Sequence, residues 1–225
     1  MFARFEPSPM FRIKICGITC EADARVVAAA GADAVGLNFF EKSPRYLAPR
    51  EAERVVRALP DDMVKVGLFV NATPQHILDT WDSLGLTLIQ LHGDEPPEFL
   101  CELGNRPVMR AFRLGEEGLA PICGYLQTCR ELGCLPRLVL IDSFRKGKYG
   151  GTGATADWDT ARLYPAEVWL PPLVLAGGLT PENVGEAIRT VRPIGVDTAS
   201  GVESAAGKKD ADSVRRFVET ARAAF

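Results

Sequence analysis

Short runs of β-branched and aliphatic residues recur along the chain, separated by stretches with helical patterning. They are RIKICGI from position 12, AVGLNFF from 34, VKVGLFV from 64, LTLIQLH from 86, PVMRAF from 107, RLVLIDS from 137, PLVLAGG from 172 and IGVDTAS from 194. Near-continuous apolar runs of this kind belong to parallel strands covered on both faces, and the intervening lengths permit helical crossovers. Eight such units predict an α/β fold, a single-domain (β/α)8 TIM barrel. Thr73-Pro74 and Thr180-Pro181 each place a capping hydroxyl before a proline suited to a first helical turn. An open doubly wound sheet shares the alternation, but its first turn is expected to carry G-x-G-x-x-G, and Cys16-Gly17-Ile18-Thr19-Cys20 does not. Residues 1–11 read as an N-terminal extension and 12–225 as the barrel. The longest connection, 113–136, holds Gly, Pro and three cysteines and predicts a helix plus extra loop.

Composition keeps this picture and removes several partners. A chain of 225 residues, 47% hydrophobic and 24% charged, can bury a large core as one domain. Lys and Arg total 26 against 29 Asp and Glu, so the net charge of −3 gives no electrostatic case for nucleic acid, although a small anion can still be held locally. No run approaches a membrane span and MFARFEPSPMF lacks a secretion signal, so a cytoplasmic location is expected. The six cysteines contain no C-x-x-C pair and read as reduced thiols, the four between 101 and 134 as packing residues rather than a metal cluster. Only His76 and His92 are available, so neither a histidine-built metal site nor a cofactor is implied.

In such barrels the chemistry gathers at the C-terminal ends of the strands. At the first end, alternation points Lys14 and Cys16 to one side, with Cys16 at the mouth. A thiol becomes a useful base when its pKa falls towards neutral, and the Lys14 ammonium could bring that about; the plainer reading is a small buried hydrophobe. After the second run, Arg45 in KSPRY could clamp a planar carboxylate with its guanidinium fork, or simply be a solvated loop residue. After the sixth, Asp142 ends an apolar run and suits a general acid, or caps its loop. The glycine stretch that follows, with Gly151 and Gly153, could close over substrate. Gly177 and Gly178 after the seventh run pair with Ser200 and Gly201 after the eighth as a phosphate cradle, with a short helix starting at Ser200; separately, each is only a tight turn. His92 shares a side with Gln90 and lines the pocket or is structural. Asp197 faces inward and could contact a substrate hydroxyl or amine.

Taken in order, KICGIT, KSPRY, QLHGDE, the Asp142 run with GGTG, LAGGLTPENV and SGVES with GKKD resemble phosphoribosylanthranilate isomerase of tryptophan biosynthesis, over about residues 12 to 220. The resemblance implies a phosphate-binding barrel that converts N-(5-phosphoribosyl)anthranilate to the 1-deoxyribulose phosphate by an Amadori rearrangement, without metal or cofactor. It implies Asp142 as general acid, Cys16 as general base, Arg45 on the anthranilate carboxylate, and the loops at Gly177, Gly178, Ser200 and Gly201 on the phosphate. A monomer or homodimer is expected. The chain departs from the family pattern in its N-terminal extension, its 113–136 connection and Ser143, where threonine often follows the acid. Two alternatives stand beside it: the histidine-pathway barrel isomerase, expected to use two aspartates, and a non-catalytic sugar-phosphate-binding barrel.

Overall fold

Each of the eight apolar runs forms a strand in the structure, a computed structural model that describes residues 10–142, 157–165, 167 and 169–225. The strands are β1 (Ile13–Cys16), β2 (Ala34–Asn38), β3 (Val64–Phe69), β4 (Leu88–Leu91), β5 (Val108–Arg113), β6 (Leu138–Asp142), β7 (Leu173–Ala176) and β8 (Gly195–Thr198). They pair in parallel in chain order and close, β1 on β8, into a barrel. The chain is thus the (β/α)8 barrel that its pattern predicts.

Helices α1 (Glu21–Ala30), α2 (Pro49–Arg57), α3 (Pro74–Leu84), α4 (Pro97–Glu102), α5 (Ala120–Glu131), α6 (Trp158–Ala161), α7 (Val184–Val191) and α8 (Ala211–Ala224) run between and after the strands. Their apolar faces meet the outward strand residues, Ile13 and Ile15 of β1 or Val35 and Leu37 of β2, in one continuous core. A second core fills the barrel itself. Ala34, Val66, Leu88, Met109, Leu138, Leu140 and Val174 point inward and exclude water from its lower part. Phe11, read as extension from the sequence, is 2% exposed and packs into this inner cluster, so it serves as barrel floor.

Alternation does the rest. Further along, several inward rows turn polar towards the mouth: Gln90 and then His92 above Leu88, Arg113 above Ala111 and Asp142 above Leu140, while Cys16 lies above the already charged Lys14. An apolar floor and a chemical mouth therefore arise from one periodicity.

The two threonine-proline pairs behave differently. Thr73 Oγ1 accepts from the His76 N–H at 3.3 Å and Pro74 opens α3, as expected. Thr180-Pro181 instead makes a turn, with Thr180 N–H bonded to Asn183 Oδ1 at 2.8 Å, and α7 starts only at Val184. The threonine serves the loop after β7 because that loop must bend back over the mouth. The connection 113–136 contains α5, as predicted. All six cysteines are free thiols; Cys129 is fully buried and Cys134 Sγ donates to the Pro97 carbonyl at 3.5 Å, the packing role expected of them, whereas Cys101 is exposed.

Candidate active site

The C-terminal ends of the strands surround a cavity of about 490 Å³, within the range of small-molecule sites. A roomier hollow of about 640 Å³ lies at the opposite end, among Arg106, Cys134, Arg137 and Trp169. The N-terminal face of such a barrel ordinarily carries stability rather than chemistry. The mouth cavity brings together Cys16, Arg45, His92, Asp142, Gly177, Gly178, Asp197 and Ser200, which the sequence singled out from six different segments.

Cys16 ends β1 and is 6% exposed, its side chain on the cavity wall. Burial pushes its thiol above the ordinary value. The Lys14 ammonium pulls the other way, but Asp197 works against that pull. Lys14 is fully buried and donates to Asp197 Oδ1 at 2.8 Å. Burial disfavours the Lys14 ammonium, yet the Asp197 carboxylate, with a contribution from Cys16, outweighs it and keeps this lysine above its usual pKa. The expectation that Lys14 would bring the thiol towards neutral is therefore not met in the free protein, because burial of the thiol outweighs the pull of Lys14 and Asp197 adds to it. Asp197 faces inward as predicted, with Lys14 opposite in the β1–β8 register.

Asp142 ends β6, half-buried, beside Arg113 of β5 and Ala176 of β7 in register. His92 follows β4, and its Nδ1 is 3.3 Å from Gln90 Nε2. Burial lowers its pKa despite the opposing carboxylates of Asp142 and Asp197. A buried platform supports this corner. Glu95 accepts from the N–H groups of Asn71 at 2.7 Å and Gly93 at 3.0 Å, and lies 3.4 Å from Arg110, which in turn bonds the carbonyls of Leu91 and Gly93.

Arg45 reaches the cavity but does not stand alone. Its Nε donates to Glu203 Oε1 at 2.8 Å and its Nη2 to Glu203 Oε2 at 2.6 Å. Glu203 begins the hairpin of β9 (Glu203–Ala205) and β10 (Lys208–Lys209), and Lys209 Nζ donates to its Oε1 at 2.7 Å. Burial opposes the Glu203 carboxylate, but hydrogen bonds and charge from Arg45 and Lys209 hold it below the usual glutamate range.

Gly177 and Gly178 adopt φ of +97° and +66°, a backbone that L side chains rarely take, and both line the cavity. Ser200–Val202 forms a short 3-10 turn, the short helix expected there. Gly201 has another task than direct lining: a β-carbon there would strike the Leu179 carbonyl, so its absence lets the loops after β7 and β8 approach each other. Thr198 Oγ1 ties the same pair by donating to Leu179 O at 2.7 Å. Gly151, Gly153 and Ser143 lie outside the described residues.

Sequence reasoning missed Arg113, Asn38, Glu203 and Lys209. Arg113 and Asn38 end strands and line the cavity, a position that could have flagged them. Glu203 and Lys209 stood in the SGVES and GKKD motifs without an assigned role.

The model of a known family, described as N-(5'phosphoribosyl)anthranilate (PRA) isomerase, matches residues 13–220. The chain belongs to this family. An N-(5'-phosphoribosyl)anthranilate isomerase of Geobacter sulfurreducens is 46% identical over 214 residues, 95% of this chain and 99% of that one. The crystal structure of phosphoribosyl anthranilate isomerase from Thermotoga maritima is 39% identical, covers 95% of this chain and 100% of its own, and superposes with a TM-score of 0.82. A phosphoribosyl anthranilate isomerase crystallised with reduced 1-(o-carboxyphenylamino)-1-deoxyribulose 5-phosphate is 38% identical, with the same coverage and a TM-score of 0.77. Among the described residues of this family member, no helix is long and apolar enough to cross a membrane.

Proposed function

We propose that this protein isomerises N-(5'-phosphoribosyl)anthranilate to 1-(2-carboxyphenylamino)-1-deoxyribulose 5-phosphate in cytoplasmic tryptophan biosynthesis, with Cys16 and Asp142 as base and acid. The observation that carries this reading is the placement of these two groups at the ends of β1 and β6, facing one cavity with Arg45 and the Gly177–Ser200 loops at its edge.

Asp142, as the acid, protonates the ribose ring oxygen; the C1–O bond breaks and the nitrogen lone pair forms the imine. Cys16, as thiolate, then removes the proton from C2, giving an enolamine that tautomerises to the ketone. The positively charged imine acidifies that C2 proton, and a thiolate of raised pKa is a correspondingly stronger base once formed. Backbone N–H groups around Gly177, Gly178, Ser200 and Gly201 hold the phosphate, and Arg45 holds the carboxylate. Binding energy from both ends thus orients the reacting middle. His92 and Asp197 line the sugar. No cofactor takes part in these steps.

Family membership favours this substrate over the histidine-pathway barrel and over a binding protein without chemistry. The test is direct. Purified protein is expected to consume the fluorescent anthranilate substrate without added metal, and an inert preparation with an intact fold would refute the reading. Cys16→Ala and Asp142→Asn are each expected to lower kcat by about 10²–10⁴-fold.

A further inference from the structure

Arg45 alone is a flexible side chain on a loop, and a carboxylate clamp needs a fixed plane. Its neighbours supply one. The stem passes over Gly17, where a β-carbon would strike Arg45 Cδ. The Nε–Nη2 edge of the guanidinium is then taken side-on by both oxygens of Glu203, whose side chain is only 4% exposed. Guanidinium carries five N–H donors in a rigid fork, so this bond leaves the Nη1–Nη2 edge as the one suited to a second carboxylate.

Pairing with Glu203 would by itself cancel the charge that Arg45 needs. Lys209 restores it. Its ammonium, on a fully buried side chain, donates to Glu203 Oε1 at 2.7 Å and to the Ala199 carbonyl at 3.0 Å. The three groups sum to one positive charge rather than none. Ala199 immediately precedes Ser200 at the cavity, and the Lys209 N–H is fixed to Asp23 of α1 at 3.0 Å. The clamp is therefore braced against the β8 loop and the outer helix layer.

We propose that Glu203 and Lys209 are positioning residues for substrate recognition: Glu203 sets the plane of Arg45, and Lys209 keeps the cluster cationic and joins it to the turn at Ser200. This rests on the reading that Arg45 receives the anthranilate carboxylate. Neither residue touches substrate; both act through Arg45.

The test compares phosphoribosylanthranilate with its decarboxylated counterpart, phosphoribosylaniline, across the wild type, Arg45→Ala, Glu203→Gln and Lys209→Met. The wild type is expected to prefer the carboxylate-bearing substrate. Glu203→Gln and Lys209→Met should each lower kcat/KM for it by about tenfold or more, mainly through KM, while turnover of the aniline compound stays within about twofold. An equal loss on both substrates would mean that Glu203 and Lys209 merely hold the fold, and the proposal would be wrong. If Arg45→Ala costs both substrates equally, the clamp reading itself fails and the brace falls with it. If it costs only the carboxylate substrate while Glu203→Gln changes nothing, the clamp stands and the brace fails. Should Glu203→Gln not fold, Glu203→Asp, which withdraws the carboxylate by one methylene, carries the same comparison.

Discussion

A β-carbon on Gly36 would lie 2.5 Å from Cys16 Sγ, across the register pair that joins β1 to β2. The thiol therefore occupies space that any other residue at 36 would fill, and the cysteine Cα, 3.0 Å from the same point, cannot step aside without moving the strand. Gly36→Ala is expected to displace the thiol from its place on the cavity wall. A shift of about 1 Å in a reacting group can cost about 10²-fold in rate. Steady-state kinetics on a variant with a retained circular dichroism spectrum should show the loss in kcat. A normal kcat would mean that the thiol's position is not critical to the reaction.

The raised pKa of Cys16 has a kinetic signature. A base must be deprotonated to act, so activity rises with pH as the thiol ionises, and burial places that rise above the ordinary thiol value. Since kcat/KM reports the free enzyme, its rising limb should still climb beyond about pH 8.5, the unperturbed cysteine value. The profile should lose this limb in Cys16→Asp, whose carboxylate is already ionised at neutral pH. A wild-type plateau reached by pH 7 would contradict a free-state thiol as the base.

Lys14 and Asp197 are 183 positions apart and bonded at 2.8 Å inside the barrel, the ammonium fully buried. Removing one member strands the other charge away from water, a cost of about 3–5 kcal/mol. Lys14→Met should shift the urea midpoint accordingly, and Lys14→Met with Asp197→Leu should recover part of the loss, because the second change removes the stranded charge. A single variant within about 1 kcal/mol of wild type would show the pair to be energetically neutral.

These pairs explain what was legible in the sequence. Burial on both faces leaves the strands almost no choice but aliphatic residues, so all eight were visible as apolar runs. Period-two alternation then placed Cys16, His92, Asp142 and Asp197 on the cavity side. Partnerships across the barrel were not visible. Nothing local couples Arg45 to Glu203, 158 positions away, or gives the Lys14 ammonium Asp197 as a partner besides Cys16. The steric need for a glycine at 201 was also hidden, because the Leu179 carbonyl that a β-carbon would meet sits on another loop. Thr180-Pro181 carried a helix-start signature that the loop uses for its own turn.

Glu203 gives the protein an acid-sensitive point. Burial raises its pKa, but Arg45 and Lys209 outweigh that and leave the folded value below the usual glutamate range. A depressed carboxylate contributes stability that is present above the unfolded pKa, about 4.3, and is lost as pH falls through the folded value. At pH 7 the wild type should therefore be more stable than Glu203→Gln by up to about 3–5 kcal/mol, the scale of breaking a buried charged pair. As pH falls through the lowered folded value the carboxylate is protonated, and the gap should narrow. Thermal unfolding of both proteins from pH 7 down to pH 3 checks this sign. A gap that stays constant would assign the effect of Glu203→Gln to lost packing rather than to the charge that holds Arg45 and Lys209 together.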